Sequence, residues 1–128
     1  MNRDAFIRKV LWATTFYNLA AGLAFAFPAS VGRLADLPLP VAPLYSVLLA
    51  LFVFLFGAAY AWLAMQRTID RPMVGFAAVG KASVFVAAIV LWLVGDGPGW
   101  FVPGAVGDLI FAALFPWWLR ASTVGRIG

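Results

Sequence analysis

Gly80-Lys81-Ala82-Ser83-Val84-Phe85 sets a lysine inside an apolar run that extends from Met73 to Val94. About 20 apolar residues, rising 1.5 Å each, match a hydrocarbon layer about 30 Å thick. The run therefore reads as a membrane-crossing helix, with Lys81 at bilayer depth. The next apolar run holds a second charge, Asp108, within Gly107-Asp108-Leu109-Ile110-Phe111. A charge at that depth costs upward of about 3 kcal/mol and is normally paired and functional. We read Lys81 and Asp108 as partners, and the rest of the chain as their enclosure.

The composition agrees. Of 128 residues, 65% are hydrophobic and 11% charged, against about 45–50% and about 25% in soluble domains. A fold in water would have to expose the surplus, so the chain reads as an integral membrane protein. Lipid admits only helices or a closed barrel. The apolar runs are longer and more continuous than barrel strands, which alternate over about 10 residues. An all-α membrane fold follows.

There is no cysteine and no histidine, which excludes disulfides, thiol redox chemistry, histidine-ligated haem and the usual zinc sites. The five acids, Asp4, Asp36, Asp70, Asp96 and Asp108, are scattered, so one chain offers no carboxylate dyad. No cofactor is expected. The net charge of +4 reflects membrane topology rather than nucleic-acid binding.

Taken in order, the chain reads as one domain, 1–128, with spans at about 10–28, 44–65, 73–94 and 102–119. A polar head with Arg3, Arg8 and Lys9 precedes span one, which stops at Pro28. A secretory signal peptide is the competing reading of this start, but the apolar stretch is long for one. Pro38, Pro40 and Pro43 break the first loop, where residues 30–37 suit a short interfacial turn. The turn 66–72 is short enough to make spans two and three antiparallel neighbours. Gly95-Asp96-Gly97-Pro98-Gly99 ends span three, and Trp100 and Phe101 follow as interface aromatics. Pro103 fits the first turn of span four, and Pro116 is expected to kink its last. With the N-terminus inside, Arg3, Arg8, Lys9, Arg67, Arg71, Arg120 and Arg126 are cytoplasmic and only Arg33 is outside. That asymmetry predicts an antiparallel four-helix bundle with both termini in the cytoplasm.

Helix rise puts Lys81 roughly 12 Å and Asp108 roughly 18 Å above the cytoplasmic ends of their spans. A flexible lysine stem spans the difference. Asn18 in span one, roughly 14 Å up, and Tyr60 in span two, roughly 9 Å up, fall in the same layer. Tyr17, Thr14, Thr15 and Ser83 lie nearby. Lys81, Asp108, Asn18 and Tyr60 are thus the candidate ligand-binding residues. The competing structural reading is that they only fix helix packing, at about 0.6 kcal/mol per polar contact; packing alone, however, needs no full charge. Gly22 with Ala26, Gly57 with Ala61, and Ala78 with Ala82 give small-residue spacings that permit close helix approach. Phe52, Phe54 and Phe56 read as lipid-facing or core rather than as a ligand box.

Several stretches, taken together, resemble a known family. Phe16-Tyr17-Asn18 with Gly22 and Pro28, Phe56-Gly57-Ala58-Ala59-Tyr60, Gly80-Lys81 with Val84-Phe85, and Gly107-Asp108-Leu109 with Phe115 are similar to the small bacterial four-span proteins grouped as DoxX-like. The resemblance implies a four-helix membrane bundle in the bacterial inner membrane. It also implies association with membrane oxidoreductases that pass electrons to quinone, although a chain without cysteine and histidine departs from an independent redox role. It carries over no catalytic residue.

Three functions follow as expectations. The first is an interior site for a small lipophilic molecule (a quinone, isoprenoid or lipid), or service as an accessory subunit to a membrane partner protein. The second is proton or small-ion transport through a homo-oligomer, using the charged pair. The third is a small membrane enzyme acting on a lipophilic substrate, with Lys81 or Asp108 as acid or base. A purely structural assembly partner is the remaining option.

Overall fold

The computed structural model describes residues 2–97 and 101–124, with side chains to Ala121. Every regular element among them is helical: α1 (Arg3–Ala26), α2 (Val31–Leu34), α3 (Pro43–Met65), α4 (Arg71–Leu93) and α5 (Phe101–Val124). Three stretches are long and apolar enough to cross a membrane, Pro43–Met65, Arg71–Leu93 and Phe101–Ala121.

Local chemistry sets the boundaries. The polar head is not a separate tail, because Asn2 caps α1, its Oδ1 accepting from the amides of Asp4 and Ala5 at 3.0 and 3.4 Å. Helix α2 falls within residues 30–37, where a short turn is expected. Pro43 stands in the first turn of α3 and Pro72 in that of α4, where a missing amide hydrogen costs nothing. Asp70 caps α4 by accepting from the Met73 amide at 3.1 Å. At the far end of α4, Gly95 adopts φ +82°. There the Asp96 amide reaches back to Leu91 and the Gly95 amide to Trp92, a glycine-terminated helix stop. Helix α5 runs through Pro116 to Val124. Pro98 and Trp100, which the sequence places at the loop and the interface, lie outside the described residues.

The four long helices alternate in direction. Arg8 of α1 meets the end of α3 while Phe25 meets its start at Ser46; Arg71 of α4 meets Leu119 of α5. Backbones pack closely between α1 and α3, between α4 and α5, and between α1 and α5. Helices α3 and α4 are not among the closely packed pairs, despite their short connection. They meet through side chains, where Phe56 stacks on Phe76 with ring centres 6.2 Å apart. A tight turn fixes two helices together only where it joins them.

The core has the same asymmetry. Its buried apolar members include Ile7, Leu11, Leu63, Val74, Phe115 and Trp118, all towards the end that carries Arg3, Arg8, Arg67, Arg71 and Arg120. Seven residues are two helical turns, so residues seven apart share a stripe. On α3, Leu63 is 3% exposed, whereas Phe56 and Leu49 on its stripe are 40% and 45% exposed. On α4, Ala77 is 3% exposed, whereas Val84 and Leu91 are 46% and 42% exposed. Both stripes are core at the arginine end and half-exposed further along, beyond the Phe56–Phe76 stack. The ring of helices is closed up to that stack and open between α3 and α4 beyond it.

Candidate functional site

At the level where the ring opens, all four long helices contribute to one polar network. Lys81 of α4 donates from Nζ to Asp108 Oδ1 of α5 at 2.8 Å and to Asn18 Oδ1 of α1 at 2.6 Å. Asn18 turns its amide nitrogen to the Val53 carbonyl of α3 at 3.1 Å. The second Asp108 oxygen lies 3.2 Å from the Tyr17 hydroxyl of α1, which also rests against the Gly104 carbonyl, so one phenolic proton serves two acceptors. Lys81, Asp108 and Asn18 are buried. Each charged atom has its counter-group, and no buried side-chain polar atom among the described residues lacks a partner.

Aromatic rings complete the surroundings of the ammonium. The centroids of Tyr17, Tyr60 and Phe111 lie 5.0, 5.4 and 5.7 Å from Lys81 Nζ. Ring faces at such distances attract a cation, by up to about 2 kcal/mol where water is excluded. The lysine is thereby held by one carboxylate, one amide oxygen and three rings from three other helices.

Small residues make these approaches possible. A Cβ on Gly107 would stand 2.5 Å from the Tyr17 ring, so glycine there lets the ring lie flat on α5 and deliver its hydroxyl to Asp108. A Cβ on Gly57 would stand 3.3 Å from Asn18 Cβ, and its absence lets α1 approach α3 where Asn18 reaches Val53. Gly22 accommodates the Phe54 ring in the same way.

The four residues singled out in the sequence, Lys81, Asp108, Asn18 and Tyr60, come together. Of the nearby candidates, Tyr17 belongs to the network. Thr14 and Thr15 instead bond back to the carbonyls of Val10 and Leu11 in their own helix. Ser83 bonds to Val79 and lies in a shallow apolar groove on the outward face of α4, away from the pair. Phe111 is the member that the sequence reading overlooked; its signal is the spacing of three from Asp108, which sets both on one helical face.

Tyr60 differs from its neighbours. It is 4% exposed, tilts against Phe115 with ring centres 6.4 Å apart, and turns a ring face to Lys81. Its hydroxyl makes no hydrogen bond among the described residues. On α3 it stands between buried Leu63 and half-exposed Phe56, one turn from each. The arrangement is electrically neutral overall, with the Tyr60 ring part of the buried core. In comparisons with known proteins, no family model matches this chain, and neither does any curated protein or solved structure.

Proposed function

We propose that this chain is a four-span inner-membrane protein of the DoxX-like kind whose α3–α4 opening holds a small lipophilic molecule. Three spans are the apolar helices α3, α4 and α5, and α1 is the fourth. Helix α1 has 24 residues, about 36 Å at helical rise. After Lys9 it carries no charge to its end, and it packs along α3. The arginine end faces the cytoplasm with both termini, as the bias of basic residues requires. The opening then faces the outer leaflet.

One observation carries the reading. The α3 and α4 stripes that form core at the arginine end are half-exposed beyond the Phe56–Phe76 stack, in Leu49, Val84 and Leu91. In this reading their gap is apolar at its sides, and the buried Lys81 network lies at its floor. A quinone, an isoprenoid or a lipid tail has the matching chemistry, apolar along its length with one polar end. The DoxX-like resemblance is consistent with this placement, since each of its quoted stretches supplies a residue to the network or the glycine beside one.

The test is gentle extraction of the full chain, followed by mass spectrometry of co-purifying lipophiles. Wild type retains one per chain, and Val84→Trp, which fills the gap from a half-exposed position on the same stripe, loses it. Equal retention by both, or none by wild type, rejects the proposal. A stoichiometric membrane protein in place of a lipophile would favour the accessory-subunit reading, in which a partner helix fills the same gap.

A further inference from the structure

We infer that the arginine end of the α1–α3 seam binds an anionic phospholipid, with its phosphate at Arg8, Lys9 and Arg67 and its acyl chains along the outer faces of the two helices. This surface is separate from the α3–α4 gap and shares with it only the membrane setting.

Charge at this end is unbalanced. Arg8 donates to the carbonyls of Ala64, Gln66 and Arg67, which brings its guanidinium against the Arg67 backbone. Carbonyl oxygens satisfy N–H groups but cancel no charge, and three such bonds leave two of the five guanidinium N–H groups over. Lys9 and Arg67 are exposed, and among the described residues no carboxylate pairs with either of them or with Arg8. The acids of this end are engaged elsewhere, Asp4 by Trp118 of α5 and Asp70 as the cap of α4. Three positive charges thus stand where α1 begins and α3 ends, with no anion between them. The opposite end of the seam has one cation, Arg33, with Asp36 three positions on.

The side chains that follow these cations repeat the layers of a lipid molecule. Trp12 lies four residues beyond Arg8 on α1, and Trp62 four residues before Gln66 on α3. Each is one helical turn, about 6 Å, nearer the apolar middle. They are 39% and 71% exposed, and tryptophan favours the level between headgroups and chains. Next come Phe16 and Leu19 on α1 and Leu55 and Leu51 on α3, all exposed. Cations, indole rings and aliphatic side chains therefore succeed one another as phosphate, glycerol and acyl chain do. The close packing of α1 on α3 makes the two faces one continuous surface. A soluble anion would match only the cations; a zwitterionic lipid would match the layers but leave the charge uncancelled. An anionic phospholipid matches both.

The experiment titrates the full chain in detergent with dioleoylphosphatidylglycerol or dioleoylphosphatidylcholine and reads lipid binding by native mass spectrometry. Wild type binds the anionic lipid about tenfold more tightly, and the preference shrinks as salt rises. Lys9→Gln/Arg67→Gln leaves the Arg8 clamp in place and keeps the thermal midpoint of the lipid-free protein. Its preference falls to within about threefold. Lys9→Arg/Arg67→Lys retains the full preference, and so does Arg33→Gln at the opposite end. Inorganic phosphate at matched ionic strength does not displace the lipid. Equal binding of both lipids by wild type, an undiminished preference in Lys9→Gln/Arg67→Gln, or an equal loss in Arg33→Gln overturns the inference. Displacement by inorganic phosphate also overturns it, by making the site one for a free anion. None of these results touches lipophile retention in the α3–α4 gap, so the two readings fail separately.

Discussion

A lysine and an aspartate in low dielectric are worth little to stability as a pair and much as a dependency. Removing one partner of a buried pair costs about 3–5 kcal/mol, whereas replacing both with apolar groups of similar size is often neutral. Lys81→Met should therefore lower the thermal midpoint of the purified protein sharply, as should Asp108→Leu. The double variant should recover most of either loss. If the two single losses simply add in the double variant, the pair is not coupled in the way its 2.8 Å separation indicates. Gly107→Ala belongs to the same scale. The added methyl would meet the Tyr17 ring at 2.5 Å, forcing it off α5 and away from Asp108, at about 1–3 kcal/mol for the overpacking. Gly80→Ala, inside α4 with nothing within 4 Å of the new carbon, is the matched control and should raise the midpoint slightly, by up to about 1 kcal/mol of helix propensity. The pairing of Lys81 with Asp108 was legible in the sequence because depth follows from helix rise, and Asn18 and Tyr60 were legible for the same reason. Tyr17 was harder to assign because it is adjacent to Asn18, and successive residues point about 100° apart on a helix. Both face inward because α1 is covered on two sides, by α3 and α5. Coverage on two sides is a tertiary fact that a single helical stripe does not contain.

Helix ends at the arginine end are fastened by side chains that cross between elements. Arg8 of α1 donates to the carbonyls of Ala64 and Gln66 at 2.7 and 2.6 Å and to that of Arg67 at 3.1 Å, closing the otherwise unsatisfied end of α3. Arg71 reaches the Leu119 carbonyl of α5 at 2.6 Å and lies 5.4 Å from the Trp118 ring centre. Trp118 in turn donates to Asp4 of α1 at 3.1 Å. Basic groups at helix C-termini also suit the local dipole. Arg8→Ala should cost about 1.5–3 kcal/mol and appear as a lowered midpoint, with faster proteolysis at the 66–70 connection. Lys9→Ala, at an exposed neighbouring position, should change stability by no more than about 0.5 kcal/mol. At this scale the sequence was informative about boundaries, since Pro43, Asp70, Pro72 and Gly95 act through local sterics and capping. It was silent on these clamps, because an arginine near a membrane interface satisfies the charge rule whether or not it grips a neighbour. The short 66–70 connection misled in one respect. It makes α3 and α4 antiparallel neighbours, but their backbones do not pack closely and they meet through side chains such as Phe56 and Phe76.

For the whole molecule, the charge bias predicts an orientation that is open to direct measurement. The chain has no cysteine, so single cysteines report without background. In intact cells an impermeant maleimide should label Arg33→Cys and spare Arg67→Cys; after permeabilisation both should react. The opposite pattern would turn the molecule over and face the α3–α4 gap to the inner leaflet. The all-helical fold and its three most apolar spans were legible from run length and composition alone. The opening was not, because exposed and core-facing apolar side chains are the same residue types in a membrane protein. Leu49 and Leu63 are indistinguishable until their packing is seen, the first half-exposed and the second buried.

Lys81 and Asp108 are only 27 positions apart and lie on helices joined directly to one another. Their mutual neutralisation is therefore available to the α4–α5 hairpin before α1 or α3 arrives. In the proposed membrane setting, the cost of bringing two ions into hydrocarbon is met within a single local unit. Asn18, Tyr17 and Tyr60 then meet a dipole rather than a bare charge. Biogenesis can proceed by docking two preformed hairpins, and the polar layer acts as the registration mark that aligns them.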